Sequence, residues 1–514
     1  MKKYLLALLI LSSTQLTAQV PEDALRFSWY PHSGTARIMA VGGVMGSLGG
    51  DITAAYVNPA GLGFFKTREA VLSAGLLRTD YSINYRDSKN EYNKNSFSLA
   101  PSGVIIGAPN RYNKTKSSAF SIAFSQQASF KNDTRYSGFN NYSSFSEQFA
   151  EEFAKSNQSI SDVLFSNSSM PYTAAPALFT YLIDTVRING LLQVKAAPEY
   201  LLDSGKAVFQ DMNKSTRGGI YELAVAFAEN NKDKWYWGVT LGIPIISYQS
   251  TTIFTESDLS GDTSNRFNSF RFTDDFKTTG VGANLKFGVI YRPQDYIRLG
   301  LAVHTPSVMS LTDTRSTSLV TSLENPVKEF NASSNLFTNG EPGESKYFQT
   351  TPWKAILSAS YVFREIENTK KQRAFISADV EYVHHRGSRF QSYNEEPTEE
   401  EKAYFKSLNK VIKNDYKGSF NFRVGGELKF NTIMGRLGFA YYTNPYQDAA
   451  LKANRMMLSG GLGYRNNGFF IDLTYVHSVQ KNVDMPYRLE DRDNTFANLN
   501  QTQGNIIATF GVKF

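Results

Sequence analysis

The segment IIATFGVKF, residues 506 to 514, closes the chain, and its pattern decides how the rest is read. Side chains of an extended strand alternate between two faces. Ile506, Ala508, Phe510, Val512 and Phe514 therefore share one face, and Ile507, Thr509, Gly511 and Lys513 share the other. The first face suits hydrocarbon. The second does not, because a charge on the lipid side near the bilayer midplane costs about 2–4 kcal/mol, so Lys513 is expected towards a lumen or at the membrane edge. Such a strand belongs in a wall with lipid on one side and a bore on the other.

The same pattern recurs upstream. Met456, Leu458, Leu462 and Tyr464 oppose Ser459, Gly461 and Gly463. Asn466-Asn467-Gly468 then offers the positive-φ residues of a tight hairpin turn. Beyond it Phe469, Ile471, Leu473 and Tyr475 oppose Asp472, Thr474 and Ser478. Extended over the chain, the alternation predicts strands at 69–78, 95–108, 117–130, 219–229, 235–250, 268–291, 296–312, 352–364, 372–387, 418–431, 433–445, 454–466, 468–480 and 503–514. That is about fourteen, an even number, as single-chain bacterial barrels have. Short connections (110–116, 230–234, 292–295, 466–468) interleave with long ones (135–218, 316–350, 388–417, 481–502). Short periplasmic turns and long outer loops would place both chain ends in the periplasm. The expected fold class is therefore all-β: a transmembrane antiparallel β-barrel of about 14 strands over residues 69–514, with helical extracellular loops. Closure is required, since each unpaired backbone group in hydrocarbon costs several kcal/mol. A soluble sandwich or propeller is the rival for such periodicity, but the repeats lack a fixed blade period.

The opening residues agree with export. Lys2 and Lys3 precede an apolar run from Tyr4 to Leu11 and a polar stretch to Thr17-Ala18-Gln19, the layout of a secretory signal over 1–18. The run is too short for a spanning helix, which needs roughly 20 apolar residues. Aromatic residues make up 14% of the chain and charged ones only 20%, yet mean hydropathy is −0.34. The apolar residues are dispersed, as alternating strands require. Cysteine is absent, which excludes disulfides, a thiolate metal site and a lipid-modified N-terminal cysteine. The formal +7 falls by the two leader lysines to +5, and no Lys/Arg cluster stands out, so nucleic acid is not an expected partner. The expected location is the bacterial cell outer membrane, crossed many times by the chain and in contact with its lipid.

Enzyme chemistry is not expected either. The histidines are His32, His304, His384, His385 and His477, and adjacent His384 and His385 point to opposite faces of a strand. A shared metal or a proton relay of the kind a nucleophile needs is then unfavourable; no metal, cofactor or catalytic residue is assigned.

Residues 19–68 precede the first strand and fit no wall. They hold a glycine-rich run, Val41 to Gly50, and the turn Asn58-Pro59-Ala60. A segment inside the bore must approach the wall closely and turn tightly. Glycine permits both, having no Cβ, and a residue before proline is biased towards extended or turn geometry. The glycine spacing is not the dinucleotide fingerprint G-x-G-x-x-G. The stretch Thr35 to Gly43, followed by Asp51-Ile52-Thr53-Ala54-Ala55-Tyr56-Val57-Asn58-Pro59-Ala60-Gly61-Leu62, resembles the N-terminal hatch of the FadL/TodX family, outer-membrane channels for long-chain fatty acids and aromatic hydrocarbons. Leu285 to Pro293 and Arg298 to Pro306 resemble that family's mid-barrel hairpin, and the terminal Phe514 resembles the signature read by the barrel-assembly machinery.

The resemblance implies fourteen strands, a hatch folded into the lumen, and passive, gated uptake of a hydrophobic small molecule by a monomer. It puts structural and gating roles on Gly42, Gly43, Gly46, Asp51, Asn58, Pro59 and Ala60. It also implies a lateral exit at a kinked third strand, from which Ser117 to Lys131 departs by lacking Gly and Pro. A second function stays open: some barrels of this kind act as a scaffold for a protein partner in secretion or surface attachment.

The longest loop carries a candidate helix. Ser144 and Glu147 have capping-box spacing, and Phe145, Phe149 and Phe153 form a stripe. Leu178, Phe179, Leu182 and Ile183 follow Pro176. These two segments either bury each other or form an outer greasy groove that gathers ligand. A third helix from Thr398 to about Lys413 places Tyr404, Leu408, Val411 and Ile412 on one side. Its Glu399-Glu400-Glu401 run is expected as a solvated cap favoured by the helix dipole.

Overall fold

Period-2 alternation becomes a closed wall in the computed structural model, which describes residues 21–165, 168–263, 265–324, 327–363, 373–449, 451 and 453–514. The leader assigned to 1–18 lies outside the described residues. Fourteen antiparallel strands form the wall. In chain order they are β1 (Arg68–Tyr85), β2 (Ser88–Leu99, resuming at Ser102–Pro109), β3 (Ser117–Ser129, resuming at Asn132–Asn140), β4 (Val208–Asn231), β5 (Trp235–Ser257), β6 (Phe267–Gln294) and β7 (Ile297–His304, resuming at Val308–Glu324). Then come β8 (Gly343–Thr350, resuming at Lys354–Phe363), β9 (Ala374–His384, resuming at Arg389–Ser392), β10 (Gly418–Phe430), β11 (Ile433–Tyr442), β12 (Arg455–Asn466), β13 (Phe469–Asp484) and β14 (Ala497–Lys513). The last strand pairs with the first from Glu69↔Lys513 to Tyr85↔Ala497, which closes the barrel. Phe514 adds one more rung, donating its N–H to the Arg68 carbonyl at 3.0 Å.

The outward residues are those expected. Ile506 and Phe510 are exposed while Thr509 is buried, and Leu458, Leu462, Ile471 and Leu473 face out opposite buried Ser459, Asp472 and Thr474. Aromatic rings bound the apolar band at both ends. Trp235 stacks on Tyr291, and Tyr296 packs on Tyr361, at the turn end, with Trp353, Tyr382 and His384 at the loop end. On β13, Phe469 and His477 mark the two levels. At roughly 3.3 Å per residue and a tilt near 40°, they stand about 20 Å apart in height, close to the apolar band of such barrels.

Two expectations need correction. Several strands run far past the segments predicted: β1, β4 and β5 have 18, 24 and 23 residues, where about 9–11 cross a membrane. Above the bilayer their outward positions are mostly polar, so the apolar alternation that marked the strands fades while backbone pairing continues. The long loops of 135–218, 316–350 and 481–502 are shortened accordingly. The other correction concerns the wall near β2 and β3. The predicted strand 95–108 is interrupted at Ala100-Pro101, where Ser102 Oγ rather than a main-chain carbonyl accepts from Ser73 N at 2.9 Å, while Ala100 N donates to the Ser73 carbonyl at 3.2 Å. β3, despite lacking Gly and Pro, carries a register shift between Gln126 and Ala128.

The N-terminal segment threads the bore. Helix α1 (Pro21–Arg26) lies at the loop end, and helix α2 (Ala36–Ala40) is followed by 3-10 turns at Ile52–Ala55 and Pro59–Phe64. Glu22 pairs with Arg488 of the β13–β14 loop at 2.9 Å, whereas Phe64 stacks on Tyr236 beside the β4–β5 turn at 4.1 Å. The first described residue and the C-terminus therefore lie at opposite ends of the barrel, not both in the periplasm.

Outside the wall are helices α3 (Glu147–Ser156), α4 (Ile160–Leu164), α5 (Ala174–Phe179), α6 (Ala197–Asp203) and α7 (Glu399–Asp415), a hairpin Ile183–Ile188/Leu191–Ala196 and a strand Val327–Ser333. α3, α4 and α5 share a buried cluster with the outer ends of β1, β4, β5, β6 and β14, and α1 packs with α7 over Ile246, Tyr347 and Phe390.

Candidate functional site

From Thr35 to Leu62 almost every residue of the N-terminal segment is buried. Asp51 organises one of its turns, accepting from Thr53 N at 2.9 Å and from Thr35 Oγ1 at 2.8 Å. Asn58 organises the next. Its side-chain carbonyl accepts from Ala60 N at 3.1 Å, and Pro59 occupies the first helical position, where a missing N–H costs nothing. The Asn58 amide donates to the Gly46 carbonyl at 2.6 Å and approaches the carbonyls of Val289 (3.4 Å) and Leu301 (3.5 Å) on the wall. Of the predicted set, Gly46, Asn58, Pro59 and Ala60 are thus brought together; Gly42 and Gly43 sit on a different wall sector, and Asp51 acts only within the segment.

The contact surface is largely main chain on main chain. A Cβ on Gly46 would lie 2.5 Å from that of Ser358, and Met45 N and Gly46 N donate to Asp379 Oδ2 at 3.0 and 3.1 Å. Gly42 and Gly43 have φ of +75° and +81°, open to glycine at little cost. The wall answers with its own glycines. A Cβ on Gly238 would meet Pro59 at 2.6 Å, and Cβ atoms on Gly288, Gly300, Gly425 and Gly438 would overlap Asn58, Gly46, Val41 and Gly42 respectively. These wall glycines escaped the sequence reading. Their signal was present, since glycine inside a strand at an inward position marks a close backbone approach.

Charged side chains line the path. His32 Nε2 meets Glu381 Oε2 at 2.5 Å, Arg423 reaches the same carboxylate at 3.3 Å, and Lys286 pairs with Glu222. Arg436 bridges Glu427 (2.6 Å) and Asp472 (2.5 Å), and His304 bonds the Val57 carbonyl at 2.8 Å. Isolated, each buried ion would cost several kcal/mol; in pairs and networks they give a bore that is polar around the segment. Among the described residues no three His, Asp or Glu form a metal-binding group.

At the loop end, Phe145, Phe149, Phe153, Leu178 and Leu182 are buried together, and only Phe179, 45% exposed, faces water. Phe145 stacks on Phe254 at 4.4 Å, and Phe149 packs on Phe272 at 5.3 Å. The five buried side chains belong to one apolar cluster at the mouth, an aromatic-rich lid with Phe179, Tyr181 and Phe330 at its edge. The capping box is only half made. Glu147 accepts from Ser144 N at 2.7 Å, but Ser144 Oγ turns to Glu256 of β5 at 2.5 Å, and the helix begins later, at Glu147. Burial pushes the Glu147 carboxyl up to about 7, outweighing its bond from Ser144 and its ion pair with Arg492. α7 begins as expected, with Thr398 and Glu401 in a full capping box and Leu408 and Ile412 buried.

No protein-family profile matches the chain. No curated protein matches it either. Solved structures do. A Pseudomonas aeruginosa FadL homologue superposes with a TM-score of 0.52 at 14% identity, covering 95% of this chain and 99% of its own. The Pseudomonas putida toluene transporter TodX gives 0.51 at 13% identity, over 94% and 99%. The chain shares the barrel fold of these proteins across nearly its whole length.

Proposed function

We propose, for a chain with the fold of FadL- and TodX-type barrels, that it is an outer-membrane channel for passive, gated uptake of hydrophobic compounds, long-chain fatty acids or aromatic hydrocarbons among them. The observation that carries this is the bore itself, closed by the chain's own N-terminal segment, which rests on wall glycines through main-chain contacts. The segment acts as a hatch, and Gly42, Gly43, Gly46, Asn58, Pro59 and Ala60 are the residues whose contacts must give way for a ligand to pass.

Magnitudes favour a stepped path. Burying a methylene gains about 0.8 kcal/mol, so a fifteen-carbon chain in one dry pocket would gain on the order of 12 kcal/mol and scarcely leave. A weak outer contact at Phe179, Tyr181 and Phe330, then the aromatic lid, then a polar bore divides that gain into escapable steps. Proteoliposomes containing the protein are expected to take up labelled fatty acids or alkylaromatics faster than empty liposomes; equal rates would end the proposal.

A scaffold role is favoured by one feature, the outer hairpin whose tip exposes Leu191 and Leu192. It predicts that one stoichiometric protein copurifies from native membranes.

A further inference from the structure

Beside the outer aromatic girdle lies a cationic cavity. Tyr382 and His384 occupy outward positions at the end of β9, where Trp353 packs on both, at 5.4 and 5.8 Å between ring centroids. Rings with an apolar body and a polar edge mark the water boundary of a membrane. Directly past them the chain makes a 3-10 turn at His385–Gly387 and the C-terminal end of α7 closes over it. The result is a cavity of about 480 Å³ lined by His384, Arg386, Ser388, Arg389, Asn409 and Lys413.

Its chemistry is one-sided. Among the described residues neither Arg386, Arg389 nor Lys413 makes an ion pair. Arg386 Nε caps the Lys413 carbonyl at 3.1 Å, which quiets the negative end of α7 and leaves the terminal guanidinium nitrogens without a protein acceptor. Ser388 is 2% exposed, lines the cavity, and its Oγ has no hydrogen-bond partner. Lys406 and Lys410 extend the positive face along α7. Three uncompensated cations and a spare hydroxyl suit a dianion with several acceptor oxygens, and guanidinium forks match phosphate better than a lone ammonium does. Below the cavity, exposed Ile376, Val380, Phe420 and Phe422 continue the apolar wall.

We infer that this cavity binds the phosphoryl headgroup of a glycolipid of the outer leaflet, with Arg386, Arg389 and Lys413 on the phosphate, Ser388 donating its hydroxyl, and the acyl chains along Trp353, Tyr382 and Phe420. The inference rests on the outer-membrane placement but not on transport. It anchors α7, and through α7 the start of the N-terminal segment, to the lipid surface.

The test is native mass spectrometry of the delipidated, detergent-purified protein with lipid A in its bisphosphorylated and its dephosphorylated form, and with inorganic phosphate as competitor. The bisphosphorylated form is expected to bind at least tenfold more tightly than the dephosphorylated one, and millimolar phosphate is expected not to displace it. R386Q/R389Q/K413Q, three positions with exposed side chains, should lose at least tenfold, and Ser388→Ala, which keeps every charge, should lose a few-fold. Equal binding of the two lipid forms, undiminished binding by the triple variant, or displacement by free phosphate would each overturn the inference. Uptake by proteoliposomes is a separate readout, so failure here leaves the channel proposal standing.

Discussion

Asn58 shows how much one side chain can hold. It caps its own turn, reaches Gly46 twelve residues earlier, and approaches two wall carbonyls. Replacing it with Phe removes those bonds and adds bulk where a wall glycine leaves room for none, so the hatch must shift. The barrel wall does not depend on it. Asn58→Phe is expected to assemble normally, judged by heat-modifiable migration, with an altered uptake rate; unchanged uptake would remove the gating role. From the other side, Gly438→Ala forces a methyl into Gly42. Such overpacking costs about 1–3 kcal/mol and should lower the thermal midpoint in detergent, whereas the same change at Gly435, which has open space around its would-be Cβ, should not. Of this contact the sequence showed one half. The hatch glycines formed a visible run, but their wall partners are scattered singly over β5, β6, β7, β10 and β11, and only the closed barrel brings them to one belt.

Among elements, α3 has the sharpest condition dependence. An ordinary glutamate titrates near ~4.3, and Glu147 is pushed up to about 7 by burial. Folding of the lid thus favours the neutral carboxyl. Its contribution is whole below about pH 4 and is lost as pH rises through about 7. Hydrogen exchange over α3 and α4, corrected for the intrinsic rate, is expected to show more opening at pH 8.5 than at pH 5.5, and Glu147→Gln should reduce the difference, the remainder belonging to Glu256, which bonds Ser144 and Phe145 N and is also raised by burial. Legibility differed by element for a physical reason. Inside the bilayer, lipid enforces alternation, and the core of every wall strand could be read. Above it, water on the outer face removes that constraint, so the extensions of β1, β4 and β5 looked like loop. The start of α7 at Thr398 was read correctly because its capping partners are local, while the capping box read at Ser144 and Glu147 forms only in half, because Glu256 of β5, remote in sequence, takes the Ser144 hydroxyl.

At the scale of the molecule the unexpected feature is direction. The segment enters the bore at the loop end and leaves it at the turn end, so a cysteine placed at Glu22, in this cysteine-free chain, should react with a membrane-impermeant maleimide on intact cells. Labelling only after permeabilisation would reverse the threading. Sequence periodicity could count strands and assign sides, but nothing local says which way a plug runs; that follows from α1 packing against α7 and Phe64 against Tyr236.

The most direct measurement locks the hatch to the wall. Ser47 Oγ and Ser358 Oγ lie 2.7 Å apart, and no native cysteine competes. Ser47→Cys/Ser358→Cys protein in liposomes is expected to take up a labelled fatty acid or alkylaromatic at least tenfold faster when reduced than when oxidised. Equal uptake in the two states, or none above empty liposomes in either, would contradict a channel gated by its own N-terminal segment.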